Sequence, residues 1–195
     1  MRFLSMFCAL VVASAPTLGF AEVLYSTSFE APEFTAGPLT TEEPPTGQGG
    51  WEFSFGTQPT VTSAFSRTGD QSLVVSGTGS FGQAQLLGPF STSKPQISTK
   101  YSVYLDEASD WSNTFLTWGF SAPGTFLGQI PIRNGSEAAL RPEDEDLFPT
   151  AIDLGTWIDL ELIFDFPSQT QEGFVNGVSI GSTAFPNSAT ELEVG

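Results

Sequence analysis

The chain has no histidine, a single cysteine and only six basic residues against 22 acidic ones in 195. Each scarcity excludes some chemistry. Without histidine there is no imidazole metal ligand, no Ser-His or Cys-His nucleophile pair and no histidine general base. With a formal charge of −16, the chain lacks the cations that displace counterions from a phosphate backbone, so nucleic acid is excluded as a partner. No apolar run reaches the roughly 18 residues that a membrane-spanning helix requires. One cysteine cannot form a disulfide within the chain, so stability must come from a core. The material for one is present: 39% of residues are hydrophobic and 13% aromatic. That argues against disorder, in a chain of single-domain length.

The N-terminus reads as a signal peptide. Met1-Arg2 is a short positive start, and Phe3 to Ala15 is an apolar stretch too short to cross a bilayer as a helix. Ala13-Ser14-Ala15 has the A-x-A form but precedes Pro16. Gly19-Phe20-Ala21 carries small residues at the required positions and precedes Glu22. Cleavage is therefore expected after Ala21, which divides the chain into a signal peptide, 1–21, and one domain, 22–195, secreted or held at the cell surface. Cys8 follows Phe7, where a lipoprotein would need a small residue, and so reads as a leader cysteine of no consequence. The mature chain would hold 5 basic and 22 acidic residues, a net charge of −17, with no cysteine, histidine or methionine. Such a charge keeps an exported protein soluble.

Downstream of residue 21, no apolar 3.6-residue period holds for three turns. Alternating runs rich in β-branched and aromatic residues recur instead, between clusters of Gly, Pro, Ser, Thr and Asn. Strands are predicted over 23–28, 51–56, 60–66, 72–77, 82–88, 96–105, 114–121, 125–133, 138–141, 149–153, 156–166, 171–176 and 178–182. The clearest runs from Trp157 to Phe166. Ile158, Leu160, Leu162, Phe164 and Phe166 share one face, and Asp159, Glu161, Ile163 and Asp165 share the other. This is the pattern of an antiparallel strand with one buried and one wet face. Asn176-Gly177 between two short alternating runs predicts a type I′ hairpin. So many short strands in one domain imply an all-β fold of two packed antiparallel sheets. The Pro- and Gly-rich stretch 31–50 is expected to lie on the sandwich as a covering loop.

Several of these segments carry a resemblance. Tyr25-Ser26-Thr27-Ser28-Phe29-Glu30, then Pro32, Phe34, Gly37 and Leu39, then Gly47-Gln48-Gly49-Gly50-Trp51, resemble the opening of concanavalin A-like lectin/glucanase domains of exported bacterial proteins. Gly69-Asp70-Gln71-Ser72-Leu73, Trp157-Ile158-Asp159-Leu160 and Val175-Asn176-Gly177-Val178 resemble later segments of that superfamily. The resemblance spans residues 24 to about 185 and implies a two-sheet jelly-roll β-sandwich. It implies no single activity, because the superfamily holds lectins, carbohydrate-binding modules, glucanases, lyases and adhesion domains. Such domains usually end on a strand beside the first one. The chain stops at Glu191 to Gly195 as a new strand begins, so a missing closing strand and an open edge along 23–28 are expected.

Candidate chemistry is sparse. Asp159 and Glu161 are the candidate catalytic carboxylates, because positions i and i+2 on one strand face lie about 7 Å apart. That suits the separation of about 6.5–9.5 Å used by inverting glycosidases. Their D-x-E-x-I-x-D order departs from the E-x-D-x-E of the superfamily's glucanases, so a solvated outer face is the plainer reading. A lyase would need a His/Tyr or Lys/Tyr base system, and Lys94, Lys100, Tyr101 and Tyr104 form no such motif. Trp111, Trp118 and Tyr104 are the candidate sugar platforms, since aromatic faces stack on sugar rings; Trp51 is expected to pack beneath the 31–50 loop. For metal, the resemblance points to Glu30, the early acidic residue beside which relatives hold a structural calcium. The acidic run Glu143 to Asp146 lacks D-x-D-x-D-G spacing and reads as a solvated loop. Asn134-Gly135-Ser136 fits a glycosylation sequon but reads equally as a turn. No other cofactor is indicated. The function these readings favour is a non-catalytic exported domain that binds extracellular polysaccharide or a cell-surface glycan. Two alternatives stand beside it: a glycoside hydrolase using the carboxylates of strand 156–166, and a structural or adhesive surface protein with no sugar site.

Overall fold

A computed structural model describes residues 23, 26–39, 47–53, 58–74, 84–86, 90–92, 94–105, 114–115, 120–121, 125–126, 128–133, 136–142, 145–185 and 192–194. Among them the chain is all-β and its strands pair antiparallel, with one short 3₁₀ turn at Gln48–Gly50 and no α-helix.

The best-formed element is the strand Trp157–Asp165, whose residues alternate strictly between half-buried and buried. Ile158, Leu160, Leu162 and Phe164 are at most 1% exposed, so the apolar parity seen in the sequence is the parity that packs inward. Gln96–Tyr104 pairs along its whole length on one side, and Thr170–Val175 on the other. Val178–Ala184 completes this four-stranded sheet beyond Thr170–Val175. The predicted hairpin is present: Asn176 and Gly177 take φ of 51° and 77°, the two positive values that a type I′ turn requires.

A second four-stranded sheet runs in the order Leu147–Ala151, Glu137–Leu140, Ile130–Arg133, Thr114–Phe115. Its Ile130, Ile132, Ala138 and Leu140 join Ile97, Val103, Ile158, Leu160, Leu162 and Phe164 in one apolar cluster. Two antiparallel sheets sharing a core make the fold β-sandwich-like. Ala138, Ala139 and Leu140 are all buried in succession, so that strand is covered on both faces.

A smaller sheet joins Gly37–Pro38, Thr60–Thr62 and Ser72–Val74. It has its own apolar centre of Phe34, Leu39 and Val61, with Phe29, Trp51 and Leu73 against it. The described parts of the 31–50 stretch, 31–39 and 47–50, belong to this smaller unit: Gly37–Pro38 is one of its strands, Phe34 and Leu39 lie at its centre, and the ring of Trp51 is 5.4 Å from that of Phe29. Gln48 fastens the two described parts together: its side-chain amide donates to the Thr35 and Pro38 carbonyls at 3.0 Å and accepts from the Thr35 N–H at 2.5 Å. The pair Trp51–Phe53 with Ala84–Leu86 and a four-stranded sheet ordered Thr125–Phe126, Phe120–Ser121, Leu192–Val194, Phe90–Thr92 complete the described elements.

Three expectations need correction. Residues 26–28 are not part of a strand. There the Phe29 N–H donates to Thr27 Oγ1 at 3.1 Å, and Phe29 turns to a φ of 64°, so local bonding replaces a ladder. The stretches 114–121 and 125–133 are not single strands: their two ends belong to different sheets. Leu192–Val194, read as the point where a neighbour of the first strand begins, pairs instead with Phe90–Thr92 on one side and Phe120 on the other. Phe90–Thr92, placed among Pro and Ser residues that read as a turn, was not predicted as a strand at all. The signal-peptide segment lies outside the described residues.

Candidate functional site

The outward face of the main sheet carries the candidate chemistry. Antiparallel register sets Trp157 opposite Tyr104, Asp159 opposite Ser102, Glu161 opposite Lys100, and Ile163 opposite Ser98. Parity sends all of these side chains away from the core, because Ile158, Leu160 and Leu162 point into it. The hairpin turn holds Asp159 in place by its backbone. The Asp159 N–H donates to Asn176 Oδ1 at 2.9 Å, and the Asn176 N–H donates to the Asp159 carbonyl at 2.7 Å.

A loop from the smaller sheet reaches this face. Residues 63–71 connect Thr60–Thr62 to Ser72–Val74, and Glu30 anchors them. Its Oε1 accepts the Asp70 and Gln71 N–H groups, both at 2.9 Å. Gly69 makes that approach possible: a Cβ there would stand 2.3 Å from the carboxylate oxygen, at a φ of 69°. Ser66 Oγ donates to the Gly69 carbonyl at 3.0 Å, and Ser72 Oγ donates to the Phe65 carbonyl. Thus Phe29-Glu30 and Gly69-Asp70-Gln71-Ser72, separate motifs in the sequence, meet as one structural joint.

The loop delivers Phe65 and Arg67. Arg67 spans Asp159 with both Nη atoms, Nη2 lying 2.8 Å from Oδ2, and Nη1 also donates to Ser102 Oγ. Ser102 Oγ in turn donates to Asp159 Oδ1 at 2.7 Å. Phe65 lies nearly parallel to Trp157, with ring centroids 5.3 Å apart, and edge-on to Tyr104 at 4.3 Å. Tyr104 meets Trp157 edge-on at 5.7 Å. Phe65 remains 39% exposed and Tyr104 37%. The outcome is an aromatic cluster open to solvent, flanked by a bidentate guanidinium–carboxylate pair and a serine hydroxyl.

The other sequence candidates divide as follows. Asp159 and Glu161 do share the outward face, but both are engaged: Asp159 by Arg67 and Ser102, Glu161 by Ser98 Oγ at 2.5 Å and by Lys100 Nζ at 3.8 Å. Tyr104 belongs to the aromatic cluster, whereas Trp111 and Trp118 lie outside the described residues, as does Asn134. Glu30 is a loop anchor through Oε1. In the acidic run, Asp146 Oδ1 accepts from Arg141 Nε at 2.5 Å, and residues 143–144 lie outside the described residues. Among the described residues no three acidic, cysteine or histidine side chains converge on a point that could hold a metal ion. Asp165, at the far end of the row, has its carboxyl held below the ordinary value of 3.8 by the Ser168 N–H, then by the Ser168 hydroxyl. No helix among the described residues is long and apolar enough to cross a membrane.

Sequence reasoning missed Phe65, Arg67 and Trp157 as site residues. Trp157 was within reach, because it shares parity with Asp159 and Glu161. Phe65 and Arg67 sat in what read as the end of a strand and a turn, with no local signal of where they would dock. No protein-family model matches the chain, and no curated protein and no solved structure matches it.

Proposed function

We propose that this is an exported, non-catalytic carbohydrate-binding domain of the concanavalin A-like jelly-roll type, and that it binds an extracellular polysaccharide or cell-surface glycan on the outward face around Tyr104 and Trp157. The observation that carries the reading is the solvent-open cluster of Phe65, Tyr104 and Trp157 next to Arg67, Asp159 and Ser102. Aromatic faces pack on the C–H surface of a sugar ring, and adjoining charged and hydroxyl groups orient its hydroxyls. Export is supported by the leader-like residues 1–21 and by a thiol-free, strongly acidic remainder. A non-catalytic role is favoured over hydrolysis because Asp159 and Glu161 serve as acceptors in fixed pairs, not as a free acid and base.

The test is affinity electrophoresis through gels containing individual polysaccharides, with Trp157→Ala and Tyr104→Ala beside the native chain. Retardation by at least one polysaccharide is expected. Each variant should weaken it about tenfold, the loss of a stacking contact of about 1.4 kcal/mol. Retardation that both variants leave intact would place any sugar site elsewhere, and no retardation on any polysaccharide would favour a structural or adhesive role.

A further inference from the structure

The polar groups beside the rings carry an inference about which glycans fit. Resting on the carbohydrate reading above, we propose that Arg67, Asp159 and Ser102 read the hydroxyls of a neutral sugar and exclude uronates. A sugar hydroxyl both donates and accepts, so neighbouring hydroxyls need a donor and an acceptor side by side. Here Asp159 supplies carboxylate lone pairs. Arg67 supplies N–H groups beyond the three already directed at Asp159 and Ser102. Both remain reachable from solvent, their side chains being 36% and 24% exposed.

The same geometry works against an acidic sugar. A uronate carboxylate binds best to the two-pronged edge of a guanidinium. In Arg67 the edge formed by the two Nη groups is already filled by Asp159, a carboxylate from the protein itself, which also balances the guanidinium's charge. The surrounding face adds Glu161, Asp165 and Glu172, with Lys100 as the cation opposite Glu161. An incoming carboxylate would find only the Nε side of a guanidinium whose charge Asp159 already balances, and would meet like charge around it, whereas a neutral ring meets no such repulsion.

The experiment compares gels containing neutral polymers (a β-glucan, a galactomannan) with gels containing uronate polymers (alginate, polygalacturonate), at low and high salt. The native protein should be retarded by a neutral polymer at both salt levels and by neither uronate. Asp159→Asn removes the carboxylate that balances Arg67 and frees its Nη edge. It should weaken neutral binding about tenfold, as expected for loss of a charge-assisted contact, and gain retardation by a uronate polymer that high salt abolishes. A gain of this kind does not arise from a merely damaged fold. Ser102→Ala, which keeps every charge, should weaken neutral binding severalfold and gain nothing. If Asp159→Asn does not fold, Ser102→Ala decides the matter, and unchanged neutral binding in it overturns the proposal. Retardation of the native protein by a uronate polymer overturns the selectivity while leaving glycan binding in place. A folded Asp159→Asn that ignores uronates overturns the role given to Arg67. Retardation by no polymer removes both this inference and the reading beneath it.

Discussion

Glu30 is the residue whose removal tests the architecture of the outward face most directly. Its Oε1 holds the Asp70 and Gln71 amides at 2.9 Å, and nothing else in the described structure fastens those two N–H groups. Glu30→Ala leaves both donors without their acceptor. A hydrogen bond to a charged group contributes about 1.5–3 kcal/mol net, and less where water can replace the acceptor. Asp70 is exposed and its amide rehydrates readily, while Gln71 is half-buried and retains part of the penalty. The two together are worth about 2 kcal/mol. For a chain of this size that lowers Tm by about 4–8 °C. Glu30→Gln keeps an oxygen acceptor but no charge and should lose about half as much. Urea unfolding followed by tryptophan fluorescence measures the stability, and amide hydrogen exchange locates the change. Protection should fall at Asp70 and Gln71, while the Leu162 and Phe164 amides keep theirs until global unfolding. A Glu30→Ala protein within about 0.5 kcal/mol of native, the range of an ordinary surface change, would refute the reasoning. Glu30 would then not hold the loop that carries Phe65 and Arg67.

Further expectations follow from the packing and charge. Phe164→Ala, in a side chain with 0% exposure, should cost about 3–5 kcal/mol. Ile163→Ala, one residue along on the outward face, should cost under about 1 kcal/mol in the same urea titration; equal costs would contradict the assigned faces. Asp165 should titrate below 3.8 by NMR because the folded state stabilises its charged form. Its contribution is therefore complete above the ordinary carboxylate value and disappears as pH falls through the lowered one. Ser168→Ala removes the second cause and should bring the midpoint partway back; a midpoint at or above 3.8 in the native protein contradicts the assignment. With 22 acidic residues against six basic ones, Tm should rise with NaCl as repulsion is screened over a Debye length of about 8 Å at 0.15 M. A flat salt profile in differential scanning calorimetry rules out net repulsion as a significant destabilising force.

The parts of the fold legible in the sequence share one feature: their signal is local. Alternation from Trp157 to Phe166 revealed both the strand and its buried face, because side chains on a pleated strand must alternate. Asn176-Gly177 announced its turn because few other pairs adopt two positive φ values cheaply. The failures are equally physical. Phe90–Thr92 has no apolar alternation and takes its strand character from Leu192–Val194, about a hundred residues away in the chain. The segment 26–28, Ser-Thr-Ser, carries no apolar alternation and finds a local hydrogen bond, from the Phe29 N–H to Thr27, in place of a partner strand. In 125–133, apolar residues recur on either side of Gly128-Gln129, and the two ends pair in different sheets.

The candidate site divides along the same line. Sequence parity alone sets Trp157, Asp159 and Glu161 on one face, because a period of two leaves no alternative. Composition alone removes histidine chemistry and leaves carboxylates, hydroxyls, rings and a few lysines and arginines as the available groups. The tertiary structure decided which of these groups meet. Ser102 and Tyr104 reach Asp159 and Trp157 through antiparallel register between strands over fifty residues apart. Arg67 reaches Asp159 across 92 positions, because Glu30 pins the loop from a third segment. Local preferences specify the direction in which a side chain leaves its strand. The partner it finds depends on how distant strands share one core, and that is settled only when the whole chain is packed.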